Sequence, residues 1–232
     1  MAAPRVEATR SRALLALLLL APVPSLGVLA AMVIAPGPVG KAVFAAAKIW
    51  LLAFPAFWHL VVERGRLSWS PTTREGLLAG LATGIAMAAA IVLGAWAFNV
   101  PGMDTEPLRM EVGEMGLDTP LAYLAGAASW VFMNSVMEEY VYRWFVLRQC
   151  EALMAKWPAI GLAATIFTAH HVIAVSQYLE PGFTVLASFG VFFGGAVWSW
   201  LYFRYRSIWP GWLSHAIADV AVFGLGWYLL FG

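Results

Sequence analysis

The chain has 232 residues, of which 62% are hydrophobic and only 12% charged, and its formal net charge is +1. A soluble domain carries about 25% charged residues, so one compact core with a wet surface is excluded and the bilayer is the expected solvent. The near-neutral balance excludes a nucleic-acid partner, which needs a concentrated basic surface, and the single Cys150 permits no internal disulfide.

Continuous apolar runs of about 20 residues predict spanning helices rather than barrel strands, which would alternate. In chain order the runs cover 13–34, 42–62, 76–98, 120–147, 158–175, 183–203 and 208–231. The first lies behind Arg5, Arg10 and Arg12 and is read as a retained signal anchor rather than a cleaved leader. Lys48 and His59 are placed near the ends of the second, within reach of the interface. In the sixth, Gly190 and Gly194, followed by Gly195, mark a packing face. The expectation is an all-α polytopic transmembrane helix bundle of about seven spans. It divides into a three-helix region without motifs (1–118) and a second membrane region (119–232).

Charge in the loops sets the orientation. Arg5, Arg10 and Arg12, then Arg64, Arg66 and Arg74, then Arg148 and Lys156, then Arg204 and Arg206 occupy alternate connections. The other side holds Lys41 and Arg109 among the acids Asp104, Glu106, Glu111, Glu114, Asp118 and Glu180. The positive-inside rule puts the N-terminus in the cytoplasm.

The informative residues are charges where none belongs. Glu138, Glu139 and Arg143 fall inside the fourth run, His170 and His171 inside the fifth, and His215 and Asp219 inside the seventh. An ionisable group at mid-membrane costs several kcal/mol and is functional by default. Residues four apart share a helix face, so Glu139 can pair with Arg143, His215 with Asp219, and Phe167 lies under His171. Glu138 is about 100° round from Glu139 and can point elsewhere. His170 is assigned to packing, on another face from His171. One economical arrangement turns these stripes onto a shared wet pocket. A chain of Glu, His and Asp in a membrane also suits a transporter or proton-relay subunit.

The motifs sharpen the choice. Glu138-Glu139-Tyr140-Val141-Tyr142-Arg143 fits EExxxR, Phe167-Thr168-Ala169-His170-His171 fits FxxxH, and His215-Ala216-Ile217-Ala218-Asp219 fits HxxxN/D. Their order, each within an apolar helix, resembles the CPBP (Abi) family of CAAX prenyl endopeptidase-like and bacteriocin-processing membrane proteases. The resemblance covers roughly residues 120–225 and includes the run Ser207 to His215.

It implies an intramembrane endopeptidase acting on a membrane protein or peptide. The short loops and the retained first helix point to a multi-pass protein of a prokaryotic cell membrane. Glu138 would be the general base and His171 would help hold the attacking water. His215 and Asp219 would stabilise the oxyanion. Glu139, Arg143 and Phe167 would support them. Asp219 stands where many members carry Asn, and is expected to orient the His215 ring as a hydrogen-bond acceptor. No cofactor is favoured. If a metal such as zinc were used, Glu138, His171 and His215 would supply three ligands and leave the fourth position open. Helix direction sets an expectation that the site lies in the cytoplasmic half and opens to the cytoplasm.

Overall fold

The computed structural model describes residues 10–66 and 70–232; Arg5, the first of the basic residues used to orient the chain, lies outside them. Eight helices follow one another: α1 (Arg10–Ile34), α2 (Pro38–Val62), α3 (Arg74–Ala97), α4 (Glu106–Glu114), α5 (120–153), α6 (Lys156–Val175), α7 (Pro181–Tyr205) and α8 (Trp209–Phe231). There is no strand among the described residues. The protein is an all-α polytopic membrane bundle. Six helices, all but α4 and α5, are long and apolar enough to cross a membrane. α5 is not among them, yet it is the longest helix and holds the motif carboxylates. Of the seven spans expected, six are recognisable by length and composition among the described residues.

Local chemistry fixes the ends. Thr73 and Thr119 cap α3 and α5, their hydroxyls accepting from the backbone N–H of Gly76 and Ala122 at 3.1 and 3.3 Å. Prolines sit in the first turn of α2, α5, α7 and α8, where the missing N–H costs nothing. The short α4 was not foreseen, because the acidic connection 99–119 lacks an apolar stripe long enough to notice.

α3 lies along α8. Gly76, Gly80 and Gly84 recur every four residues on the buried face of α3. A methyl group at Gly80 would strike the carbonyl of Pro210, and one at Gly84 would sit 2.9–3.0 Å from Ile217 and Ser214. Small residues at this spacing let two backbones approach closely. The stripe expected on α7 works differently. Gly190 meets nothing within 4 Å, Gly194 meets Trp198 of its own helix, and only Gly195 faces α6, at Phe167 and Ala164. A glycine pattern shows where close approach is sterically open; the partner's position decides where it happens.

The arginine-rich end is tightly closed. Glu63, fully buried just beyond α2, pairs with Arg148 and accepts from Gln149 Nε2 at 2.8 Å, with His59 Nδ1 at 3.1 Å. Burial pushes the Glu63 carboxyl up, but Gln149, Arg148 and His59 together outweigh it and hold the group below its ordinary value. Arg206 grips Glu151 with two bonds of 2.7 Å. Arg12 donates to the carbonyl of Val62 at 3.4 Å. Residues from the four expected basic segments thus meet at one end of the bundle. Beneath the mid-membrane level, the main core joins Ala16, Leu17 and Leu20 of α1 to Leu51, Phe54 and Trp58 of α2. Val141, Phe145 and Leu147 of α5 and Ile160 and Ala163 of α6 complete it. At the opposite end a smaller cluster of Val112, Tyr123 and Leu230 ties α4 and α5 to α8, and Arg109 donates to the carbonyls of Leu230 and Leu229 at 2.7 and 3.0 Å.

Candidate active site

α5 is not a regular helix around its carboxylates. Residues 130–134 and 139–147 form wide π-type turns, with a short α-helical stretch, Ser135–Glu138, between them. Such turns are rare and gather at functional sites. Glu138 and Glu139 are both buried, and both approach His215 of α8. Glu139 Oε1 lies 3.1 Å from His215 Nδ1, and Glu138 Oε2 lies 3.6 Å from His215 Nε2. An imidazole has nitrogens on opposite edges, so one ring can bridge two carboxylates that leave the helix in different directions.

Glu139 also lies 3.4 Å from Arg143 Nη1. Arg143 is wholly buried, with its guanidinium 4.4 Å from the Phe167 ring centroid and 5.0 Å from that of Trp198. Aromatic faces stabilise a desolvated cation. Glu139 fits against α8 because residue 211 is glycine; a side chain there would collide with its Oε2.

Asp219 sits differently from expectation. Its Oδ1 is 3.7 Å from His215 Nε2, beyond hydrogen-bond length and on the nitrogen that faces Glu138. The acceptor that orients the His215 ring is Glu139, on Nδ1. The i,i+4 spacing brought Asp219 to the ring but could not say which edge it would meet, nor that another helix would take the closer one.

α6 brings two further imidazoles. His171 Nδ1–H donates to the carbonyl of Phe167 at 2.9 Å. A carbonyl can only accept, so the neutral ring leaves Nε2 with its lone pair free. His170, assigned to packing from sequence, lies against the site. Its Nδ1 is 3.3 Å from the Tyr142 hydroxyl, and its ring stacks on Tyr142 at 9°. Ligand atoms of Glu138, His170 and His171 lie within 4.8 Å of one another. His215 is not part of that group. The donor set a metal would meet thus differs from the Glu138, His171 and His215 set expected. The adjacency of the two histidines brings His170 as well as His171 beside the carboxylate, while His215 approaches it from α8 outside that group.

Two further residues belong here. Trp198 of α7 stacks on His215, ring centroids 3.7 Å apart, and its Nε1–H donates to Ser214 Oγ at 3.1 Å. No sequence signal singles it out among 12 tryptophans. Lys48 of α2 donates to Asn134 Oδ1 at 2.9 Å. It is ten residues into its helix rather than near an end, because α2 begins at Pro38. That signal was available in the sequence: a charge deep in an apolar run.

Depth follows from helix lengths. Glu138 and His171 each lie about 22 Å from the arginine-rich ends of their helices, at 1.5 Å per residue. α8 begins inside the bundle, with Pro210 against Gly76 and Gly80 of α3, so His215 is deeper than its place near the start of α8 suggests. The polar cluster is central, and the main apolar core fills the space between it and the arginine-rich end. An opening on that side, as expected from sequence, would have to pass through this core.

Residues 120–221 match the family model described as Type II CAAX prenyl endopeptidase Rce1-like. No curated protein and no solved structure matches the chain. The matched span holds α5, α6, α7 and half of α8, and with them the three motif stripes that surround Phe167. Over residues 120–221 the chain is similar to the Rce1-like family of type II CAAX prenyl endopeptidases, in line with the resemblance to the CPBP group that the three motifs carry.

Proposed function

We propose that this integral membrane protein, in a prokaryotic cell membrane, is an endopeptidase that cleaves a membrane-associated protein or peptide with water activated by Glu138. The observation that carries this reading is the buried Glu138 carboxylate beside two imidazoles of α6 and one of α8. A water between Glu138 and His171 Nε2 donates one hydrogen to each. Its lone pair then faces the peptide carbonyl. Glu138 takes the proton as the water oxygen bonds to carbon, and returns it to the leaving amine when the C–N bond breaks. Glu139 holds His215 on the far side, and Phe167 supports His171 with ring centroids 4.5 Å apart.

Purified protein in liposomes, given a farnesylated peptide with a CAAX-type tail, is expected to cleave it at an unchanged rate after chelator treatment. A second reading has one observation in its favour: the Glu138, His170 and His171 donors are close enough to hold a zinc ion. Bound there, the metal would polarise a carbonyl or a water. Activity lost to a chelator and restored by zinc alone would establish that reading and displace the first.

The packed arginine-rich end leads to an expectation about access. By the positive-inside rule that end faces the cytoplasm, so the site opens toward the acidic side or laterally. Asn134→Cys, one turn from Glu138, is expected to react with a small impermeant thiol reagent added outside intact cells. Cys150 is fully buried and does not compete. Reaction only in inverted vesicles would contradict this route.

A further inference from the structure

Attack of water on an amide puts negative charge on the carbonyl oxygen, and a preorganised donor there commonly contributes about 10²–10³ in rate. The side chains of α5, α6 and α8 are poorly placed to supply one. His215 Nδ1–H is committed to Glu139, so that ring donates from Nε2 only when doubly protonated. Asp219, when ionised, is an acceptor. His171 Nδ1–H is committed to Phe167. Arg143 has donors to spare but is sealed behind Phe167 and Trp198.

Lys48 has what the others lack. Its ammonium carries three N–H donors, and Asn134 Oδ1 takes one at 2.9 Å. The ring of Phe44 lies 5.5 Å away. Among the described residues no carboxylate stands within ion-pair distance of it. Asn134 precedes Glu138 by four residues, about one turn along α5. In this reading a water sits on the carboxylate, and the scissile carbonyl beyond it turns its oxygen toward the ammonium. α2 lies outside the matched span 120–221, so nothing in the family match assigns this role.

We propose that Lys48 is the oxyanion-binding group of this site, a catalytic residue contributed by the N-terminal region. This rests on the protease reading. As the water oxygen bonds to the carbonyl carbon, the C=O π pair moves onto oxygen and is held by the Lys48 ammonium. When the pair returns, the C–N bond breaks and the amine leaves with the proton from Glu138.

The test is steady-state kinetics in liposomes with the farnesylated peptide, in free-carboxylate and amidated forms. Lys48→Met is expected to lower kcat about 100-fold on both, with KM nearly unchanged and an unaltered melting temperature. Lys48→Arg should recover part of the loss. Adding Asp219→Asn to Lys48→Met should also recover part, because it restores a neutral donor near the carbonyl oxygen. A rise in KM with kcat retained, confined to the free carboxylate, would overturn the proposal in favour of substrate anchoring. Equal loss in the Met and Arg variants with a lowered melting temperature would overturn it in favour of a structural role. If wild-type and Glu138→Gln protein both fail to cleave, the protease reading falls, and this one with it.

Discussion

Glu138→Gln is expected to lower turnover at least about 10³-fold while leaving the protein folded. General-base catalysis contributes about 10²–10⁴ in rate, and the amide keeps the shape of the carboxyl but cannot take a proton from water. The substitution also keeps the small volume of a site that is 6% exposed, so no cavity opens. kcat on the farnesylated peptide and the thermal melt in detergent check both halves. Activity within tenfold of wild type would remove Glu138 from the mechanism.

The second large effect is on stability. Glu139→Ala takes away the one carboxylate within 4 Å of Arg143, whose guanidinium is 0% exposed. The Arg143 nitrogens make no hydrogen bond among the described residues, so the aromatic rings alone would have to hold the cation. Removing one partner of a buried pair costs about 3–5 kcal/mol. At roughly 2–4 °C per kcal/mol for a chain of this size, the melting temperature should fall by about 10 °C. His215 Nδ1 loses its acceptor at the same time, so the surviving folded fraction should turn over slowly. The double variant Glu139→Leu, Arg143→Met separates the two roles. It is expected to regain most of the lost melting temperature, because the unpaired charge is gone, and to remain slow, because His215 is still unoriented. Full activity in the double variant would show that Glu139 serves the fold alone.

Much of this was legible in the sequence because the membrane punishes misplaced charge. Glu138, Glu139, Arg143, His171, His215 and Asp219 stand out as ionisable residues in apolar helices, and helical spacing alone joins Glu139 to Arg143. The geometry between helices was not legible. Periodicity assumed a regular α5, whereas the wide turns at 130–134 and 139–147 turn both Glu138 and Glu139 onto His215. His170 was set aside because neighbours in a helix face apart, yet the two imidazole rings are only 4.1 Å apart and both border Glu138. Trp198 carries no charge to betray it. The glycines of α3 carried a packing signal as strong as those of α7, and only the position of Pro210 and Ser214 shows which stripe is used. The run from Ser207 to His215 becomes intelligible in three dimensions. Pro210 seats α8 on α3, Gly211 admits Glu139, and Ser214 takes hydrogen bonds from Trp198 and Thr83 at 3.1 and 3.0 Å.

The whole account depends on a carboxylate in α5 that activates water against a peptide bond inside the membrane. Its most direct test compares the ends of membrane peptides in cells carrying the wild-type protein with those carrying Glu138→Ala, both inserted at equal level. New peptide ends that appear with the wild type and vanish with the variant are expected; identical sets of ends in the two would contradict it.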